Sequence, residues 1–171
     1  MSDIFINLGY KCKNKSDLDE LFRDSSYILE NSKNIYKFIY LYRIKNYRID
    51  IEFFEKIREY INNVDIYQEV LESFDNYGNN LISHLASYKL LTMNLLEYLV
   101  NYIGDMNSLN NNGENSLVVF VKYNWNCRTN LQILKYLLKL GINLQQLTLD
   151  RKNFDFYLRD RWDISIDKIP E

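Results

Sequence analysis

The sequence contains few of the residues that build tight turns, metal sites and catalytic centres. Its 171 residues include one proline, five glycines, one histidine and two cysteines. So few glycines and prolines argue against an all-β protein, which needs many tight turns. Cys12 and Cys127 lie far apart and in no metal-ligand spacing, and two isolated thiols are typical of a reducing compartment. With no glycine-rich phosphate-binding loop either, the sequence indicates neither a cofactor nor a metal.

The chain also lacks a strong charge of one sign and any long apolar run. Its 21 basic residues nearly balance 23 acidic ones, for a net charge of −2. This balance argues against nucleic-acid binding, because such proteins need a basic face to displace counterions from phosphates. No apolar stretch approaches the roughly 18 residues of a membrane span, and residues 1–7 do not match a signal peptide. We therefore expect a cytoplasmic protein, of a producing or a host cell, that binds neither nucleic acid nor membrane.

Apolar residues are plentiful, at 47% of the chain, and they recur at helical spacing. Hydroxyl or acidic residues precede several of these segments, as at Ser16 and Asp50, and predict helix starts. The pattern predicts one all-α domain with helical caps at both ends. Its parts are an N-terminal cap helix (1–34), a divergent helix pair with a short helix over 66–74 (35–74), two repeats (75–109 and 110–146) and a C-terminal cap (147–171).

The two repeats follow one pattern: a turn with Asx and Gly, a short apolar helix, a break and a longer apolar helix. Gly78 and Gly113, the turn glycines, stand 113 − 78 = 35 residues apart. A constant period of this length is typical of stacked-repeat proteins, in which neighbouring units share one core. The second repeat has extra residues around 123–128, and Thr129 or Asn130 is expected to cap the helix that follows.

These repeats resemble the ankyrin family. In the first, Asp75 and Gly78 match the family's turn, and residues 80–83 stand where its Thr-Pro-Leu-His helix start belongs. In the second, Gly113 matches the turn, and residues 137–145 fit the ending of the family's second helix. Neither repeat has the Thr-Pro step or the family's histidine. The resemblance covers residues 75–145 and implies an ankyrin-like helix-hairpin solenoid that is monomeric when free.

Ankyrin-type domains generally bind proteins and rarely catalyse, so the resemblance implies a non-enzymatic binding module with one specific protein partner. Its turn tips and first helices would line a concave contact face. Ten residues are the candidate partner contacts: Asn76, Tyr77, Asn79, His84, Asn111, Asn112, Glu114, Tyr123, Trp125 and Arg128. An inhibitor or immunity protein is the leading hypothesis. A virus-encoded protein that engages a host factor is the second, and a nucleic-acid-binding or enzymatic helical domain is the third.

Two residues leave an alternative open. His84 is the only histidine, and we expect a partly exposed helix residue rather than a catalytic base, because no second histidine or activated cysteine is near it in sequence. Trp125 is either an exposed partner contact or a side chain folded back over the helix ends. Tryptophan, tyrosine and arginine are the residue types most enriched at interface hot spots, which favours contact by residues 123–128.

Overall fold

The computed structural model describes residues 34–44 and 46–169 of the chain, and in this part the regular structure is entirely helical. This confirms the all-α class. The helices are α1 Asn34–Ile44, α2 Ile51–Ile61, α3 Val64–Glu72, α4 Leu81–Ser87, α5 Met93–Leu99, α6 Ser116–Tyr123, α7 Arg128–Lys139 and α8 Phe154–Trp162, with a 3-10 helix at Ile166–Lys168. Residues 1–33 lie outside the described residues, and with them Ser16, Cys12 and the predicted cap helix, whose last residue Asn34 instead begins α1. The last two residues of the chain also lie outside the described part. No helix of the described part is long and apolar enough to cross a membrane.

The chain divides into two compact units, Met1–Leu71 and Glu72–Glu171. In the first unit, α1 buries the face that its spacing predicts, and Tyr42 packs edge-on against Phe53 of α2 with ring centroids 4.7 Å apart. Asp50 caps α2 as predicted, because its carboxylate accepts a hydrogen bond from the Phe53 backbone N–H at 3.3 Å. Asn62, at φ 44°, ends that helix in the left-handed conformation.

Helix α3 starts and ends two residues earlier than predicted. Asp65 and Gln68 resemble a capping box and predict a cap at Asp65, but the cap is Asn63, whose side chain accepts a hydrogen bond from the Ile66 N–H at 3.1 Å. The apolar spacing predicts Val70, Leu71 and Phe74 as the core contacts of this helix, and Val70 and Leu71 are buried. Phe74 lies beyond the end of the helix and is 42% exposed, so its predicted place in the core is wrong.

The second unit contains the same turn and helix three times, over residues 75–87, 110–123 and 148–162, which we call copies 1, 2 and 3. In each turn the first residue donates its N–H to the carbonyl of the residue four positions later, at 2.9 to 3.0 Å. The fourth residue donates back to the first and has positive φ: Gly78 at 74°, Gly113 at 72° and Arg151 at 60°. Tight turns with glycine at this position predict a positive φ for Gly78 and Gly113, and both glycines adopt it.

Copy 3 lies where the sequence predicts only a cap. It has no turn glycine, because Arg151 takes the left-handed conformation, which non-glycine residues rarely adopt. The asparagine caps are nevertheless identical in role, since Asn80, Asn115 and Asn153 accept from backbone N–H groups three residues later. In all three copies the helix starts six residues after the first residue of the turn, from 75 to 81, 110 to 116 and 148 to 154.

The three copies are joined side by side. Helix α6 packs against α4, α8 and α7, and α7 packs against α5. The turns form a ladder, in which Asn111 N–H donates to the Tyr77 carbonyl and Leu149 N–H to the Asn112 carbonyl, each at 2.9 Å. Residues 117–121 of α6 are fully or almost fully buried. Helix α6 is thus the centre of the core of this unit.

The second helices differ from prediction in two details. Helix α5 has seven residues, the same number as α4, so the longer partner predicted for copy 1 is wrong. In copy 2 the twelve-residue α7 is the longer one, as predicted. It begins at Arg128 with Cys127 at the N-cap, so capping by Thr129 or Asn130 is wrong, and within the described residues the Cys127 side chain makes no capping hydrogen bond.

Candidate functional site

A cleft of about 240 Å³ opens on copies 1 and 2, with the turns on one side and the C-terminal ends of α4 and α6 on the other. The turn of copy 1 contributes Asp75, Tyr77 and Asn79, and the end of α4 contributes Ser87 and Tyr88. Copy 2 contributes Asn110, Asn112, Glu114 and Tyr123. The cleft therefore depends on the lateral packing of two copies.

The structure brings half of the ten candidate contacts into this cleft, namely Tyr77, Asn79, Asn112, Glu114 and Tyr123. Asn76 and Asn111 are exposed at the turn tips, and the side-chain amide of Asn111 donates to the Asn76 carbonyl at 3.3 Å. Trp125 and Arg128 are exposed but do not line the cleft. Sequence reasoning missed Ser87 and Tyr88, which belong to the cleft only because α4 ends there.

Three of the candidate contacts are buried, so they support the cleft from below and are not exposed to a partner. His84 is 6% exposed, so the expectation of a partly exposed residue is wrong. Asn79 and Glu114 are also buried, at 8% and 2% exposed. All three side chains are hydrogen-bonded within the floor of the cleft, where a buried polar group must find partners.

Asp75 organises the floor on the copy 1 side. One carboxylate oxygen accepts from the backbone N–H groups of Tyr77 at 2.8 Å and Asn79 at 2.9 Å. The other lies 2.7 Å from His84 Nδ1 and 3.1 Å from the Asn79 side-chain amide. Burial by itself would raise the pKa of Asp75, but the hydrogen bonds from His84 and Asn79 outweigh it and hold the pKa below its ordinary value. The carboxylate is thus ionised at neutral pH, and His84 Nδ1 is the donor.

Asn110 carries this network into copy 2. Its side-chain amide donates to Asn79 Oδ1 and to Glu114 Oε2, both at 2.9 Å. Glu114 Oε1 in turn binds Lys122 Nζ at 2.5 Å. Burial would lower the pKa of Lys122, but the hydrogen bond to Glu114 and its charge raise it above the ordinary value. A continuous polar chain therefore joins the two copies beneath the cleft.

The turn of copy 3 also contains a carboxylate, but Asp150 is its third residue, whereas Asp75 is the first residue of the copy 1 turn. Asp150 accepts from the Thr148 hydroxyl and from the hydroxyl of Tyr157, and it pairs with Lys152 at 3.2 Å. The bond from Thr148, with those from Lys152 and Tyr157, lowers the pKa of Asp150 to about 2. Lys122 Nζ lies 5.6 Å from the Tyr157 ring centroid, so it stands beside the aromatic side chain of copy 3 as well as on Glu114 of copy 2.

Tyrosines form the walls of the cleft. Tyr77 is 68% exposed at the turn tip of copy 1, and Tyr123 is 41% exposed at the end of α6. Tyr88 follows α4, and its ring packs on the buried His84 ring with centroids 4.8 Å apart. The tyrosine hydroxyls and rings give the cleft both apolar area and polar edges, the combination that favours partner contact.

The two tryptophans have opposite roles. Trp125 is 57% exposed, with Lys89 Nζ 4.7 Å from its ring centroid, which decides against the alternative that it covers the core. Trp162 of α8 is buried and takes that role instead, since its Nε1–H donates to the carbonyls of Val121 at 3.1 Å and Asn124 at 2.8 Å. The charged residues around Trp162 predict surface ion pairs, and sequence reasoning missed the buried role of Trp162 itself because that role depends on copy 3 packing against α6.

In the described residues, no group of three or more His, Cys, Asp or Glu side chains is placed to hold a metal ion. The cleft instead combines exposed tyrosines with a floor whose polar groups are held in place by one another. Comparison of the sequence with protein-family models found no matching family, and comparison with curated proteins found no similar sequence.

Proposed function

We propose that this chain is an ankyrin-type, non-enzymatic binding protein that binds and neutralises one specific protein partner through the cleft. It acts as a cytoplasmic monomer of the inhibitor or immunity type. The single observation that carries the proposal is the cleft itself, in which exposed tyrosines from two laterally packed copies surround a buried polar floor.

The repeated geometry supports the ankyrin-type assignment. Copies 1, 2 and 3 share the turn hydrogen bonds, the positive φ at the fourth turn position and the asparagine cap. The backbone bonds from Asn111 to Tyr77 and from Leu149 to Asn112 align the turns in one row. Stacked repeats of this kind bury a shared core and leave the turns and the first helices to form a continuous surface.

The rigidity of the floor supports binding through this surface. Tyr77 extends from a turn whose backbone is bonded to Asp75, and Tyr88 rests on His84, which Asp75 also holds. Side chains on such a support lose little further freedom when a partner docks, so more of the contact energy appears as affinity. Tyr77 and Tyr123 are the expected hot spots, because both line the cleft and remain substantially exposed.

Site-specific photo-crosslinking in the cells that express the protein tests this proposal. A photoreactive phenylalanine analogue is placed at Tyr77, at Tyr123 or, as a matched control, at Phe156. Phe156 is an aromatic residue of the same unit that is 42% exposed and does not line the cleft. We expect one stoichiometric protein to be captured from Tyr77 and Tyr123 and not from Phe156.

The captured protein is then purified and its activity is measured with and without this chain. Loss of that activity at a 1:1 ratio supports neutralisation, and equal capture from Phe156 contradicts the assignment of the interface to the cleft. A catalytic activity of the chain alone, without any partner, would contradict the proposal that the protein is not an enzyme.

A further inference from the structure

We infer that the cleft takes an arginine side chain of the partner as its central anchor. This inference rests on the proposed function and adds the chemical identity of the group that enters the cleft. The volume of about 240 Å³ is below the roughly 300–1,000 Å³ of ordinary small-molecule sites, which suits one inserted side chain better than a separate ligand.

The aromatic walls favour a cation. Tyr77, Tyr88 and Tyr123 line the cleft, and the face of an aromatic ring carries the negative part of its quadrupole. A guanidinium is planar and weakly hydrated, so it stacks on such rings at a lower desolvation cost than an ammonium. The apolar stem of the same side chain would cover ring area that is now exposed to water.

The charge of the floor favours a cation as well. Asp75 and Glu114 are both at the base of the cleft. Glu114 is neutralised by Lys122, whereas Asp75 is hydrogen-bonded to the imidazole of His84 rather than to a lysine or arginine. Since Asp75 already accepts four hydrogen bonds, it attracts the anchor by its charge, and the exposed side-chain amide of Asn112 offers a direct acceptor.

The helix ends add to this field. Helices α4 and α6 both end at the cleft, at Ser87 and Tyr123. The C-terminal end of a helix carries a partial negative charge, which favours cations within its last turn. Two such ends and the Asp75 carboxylate therefore act on the same small volume.

The protein already binds its own cations in this way around the cleft. Lys122 Nζ sits on Glu114 with the ring centroids of Tyr157 and Tyr123 at 5.6 and 5.8 Å. Lys89, which follows Tyr88, lies over the ring of Trp125. Lys122 and Lys89 thus each lie against an aromatic face beside the cleft, and Tyr77 and Tyr88 present further aromatic rings inside it.

The test uses the full chain with ¹³C-labelled tyrosine rings and four short probe peptides. The peptides are acetyl-Gly-X-Gly-amides in which X is arginine, its neutral isostere citrulline, lysine or glutamate. Ring signals of Tyr77, Tyr88 and Tyr123 are followed by NMR during titration. Leucine replaces Tyr77 in the test variant and Phe156 in the matched control.

We expect the arginine peptide to shift these ring signals saturably and to bind roughly tenfold more tightly than the citrulline peptide. Its binding is expected to weaken with salt, to exceed that of the lysine peptide, and to be lost in Tyr77→Leu but kept in Phe156→Leu. Equal binding of citrulline, tighter binding of lysine or glutamate, or no saturable shift with any peptide would overturn the inference. If crosslinking from Tyr77 and Tyr123 still captures a partner in that event, the proposed function stands and only the arginine anchor fails.

Discussion

Three glycines have nearly the same backbone conformation but differ in how closely a neighbouring turn packs against them. We therefore expect glycine-to-alanine substitutions at the three positions to lower the free energy of unfolding by different amounts. Gly78, Gly113 and Gly141 have φ of 74°, 72° and 73°, so alanine has a similar intrinsic strain at each, about 1–2 kcal/mol. Alanine also restricts the unfolded chain, which offsets about 0.4–1 kcal/mol. Any larger difference among the three variants must come from the surroundings of each glycine.

Those surroundings differ in the order Gly141, Gly113, Gly78. An added Cβ at Gly141 meets no described atom within 4 Å, and at Gly113 the nearest atom is Leu149 N at 3.4 Å. At Gly78 the Cβ would lie 2.6 Å from Asn111 Oδ1 and 3.1 Å from Asn111 N. The Asn111 side chain would have to move and give up its bond to Asn76, and the backbone step from Asn111 to Tyr77 would be strained.

We therefore expect Gly141→Ala to cost about 1 kcal/mol and Gly78→Ala about 2–3 kcal/mol, with Gly113→Ala between them. The free energy of unfolding is measured by urea titration, with far-UV circular dichroism and tryptophan fluorescence as two independent signals. A Gly78→Ala variant no less stable than Gly141→Ala would refute the view that the turn ladder contributes to stability.

Three further predictions concern the core and the polar chain. Trp162→Phe removes the donor to two buried carbonyls and is expected to destabilise by about 2 kcal/mol in urea titration, whereas Trp125→Phe changes stability by less than about 0.5 kcal/mol. Asp75→Asn is expected to cost about 2 kcal/mol at neutral pH. Folding lowers the pKa of Asp75 from 3.8, so the difference in free energy of unfolding between the wild type and Asp75→Asn is present above about pH 4. It is lost as the pH falls through the folded-state pKa, and urea titrations at a series of pH values measure it. Lys122→Met leaves the buried Glu114 carboxylate without its cation, and we expect it to lower the free energy of unfolding by about 2 kcal/mol, less than for a fully buried pair. In the double variant with Glu114→Gln, at least half of this lost stability should return.

Local patterns in the sequence predict the described helices well where capping and spacing act within one turn. The start of α2 at Asp50 and the positive φ of Gly78 and Gly113 depend on residues a few positions apart, and all three are confirmed. Copy 3 escaped prediction because its turn uses Arg151, and a residue other than glycine gives no signal of a left-handed turn. Its backbone hydrogen bonds, the positive φ of Arg151 and the bond from Leu149 to Asn112 of copy 2 identify the third turn as equivalent to the others.

The cleft could be predicted in its outer parts and not in its floor. Tyr77 and Tyr123 follow from the position of a turn tip and a helix end, which sequence spacing indicates. The burial of His84 does not, because it depends on Asp75, nine residues earlier, turning its carboxylate back onto the ring. Long-range hydrogen bonds such as that from the Asn110 side chain to the Asn79 side chain require two copies to be packed together, which no local pattern encodes.

The central claim is that one protein partner binds in the cleft between copies 1 and 2, and the affinity of the Tyr77→Ala/Tyr123→Ala double variant for the purified partner tests it most directly. Isothermal titration calorimetry compares this variant with the wild-type chain and with Phe156→Ala, after unfolding measurements establish that all three are folded. Hot-spot tyrosines at the centre of an interface cost about 2 kcal/mol each, so we expect the affinity of the double variant to be about 1,000-fold weaker and that of Phe156→Ala to be unchanged. An unchanged affinity of the double variant would contradict the claim and place the interface elsewhere on the chain.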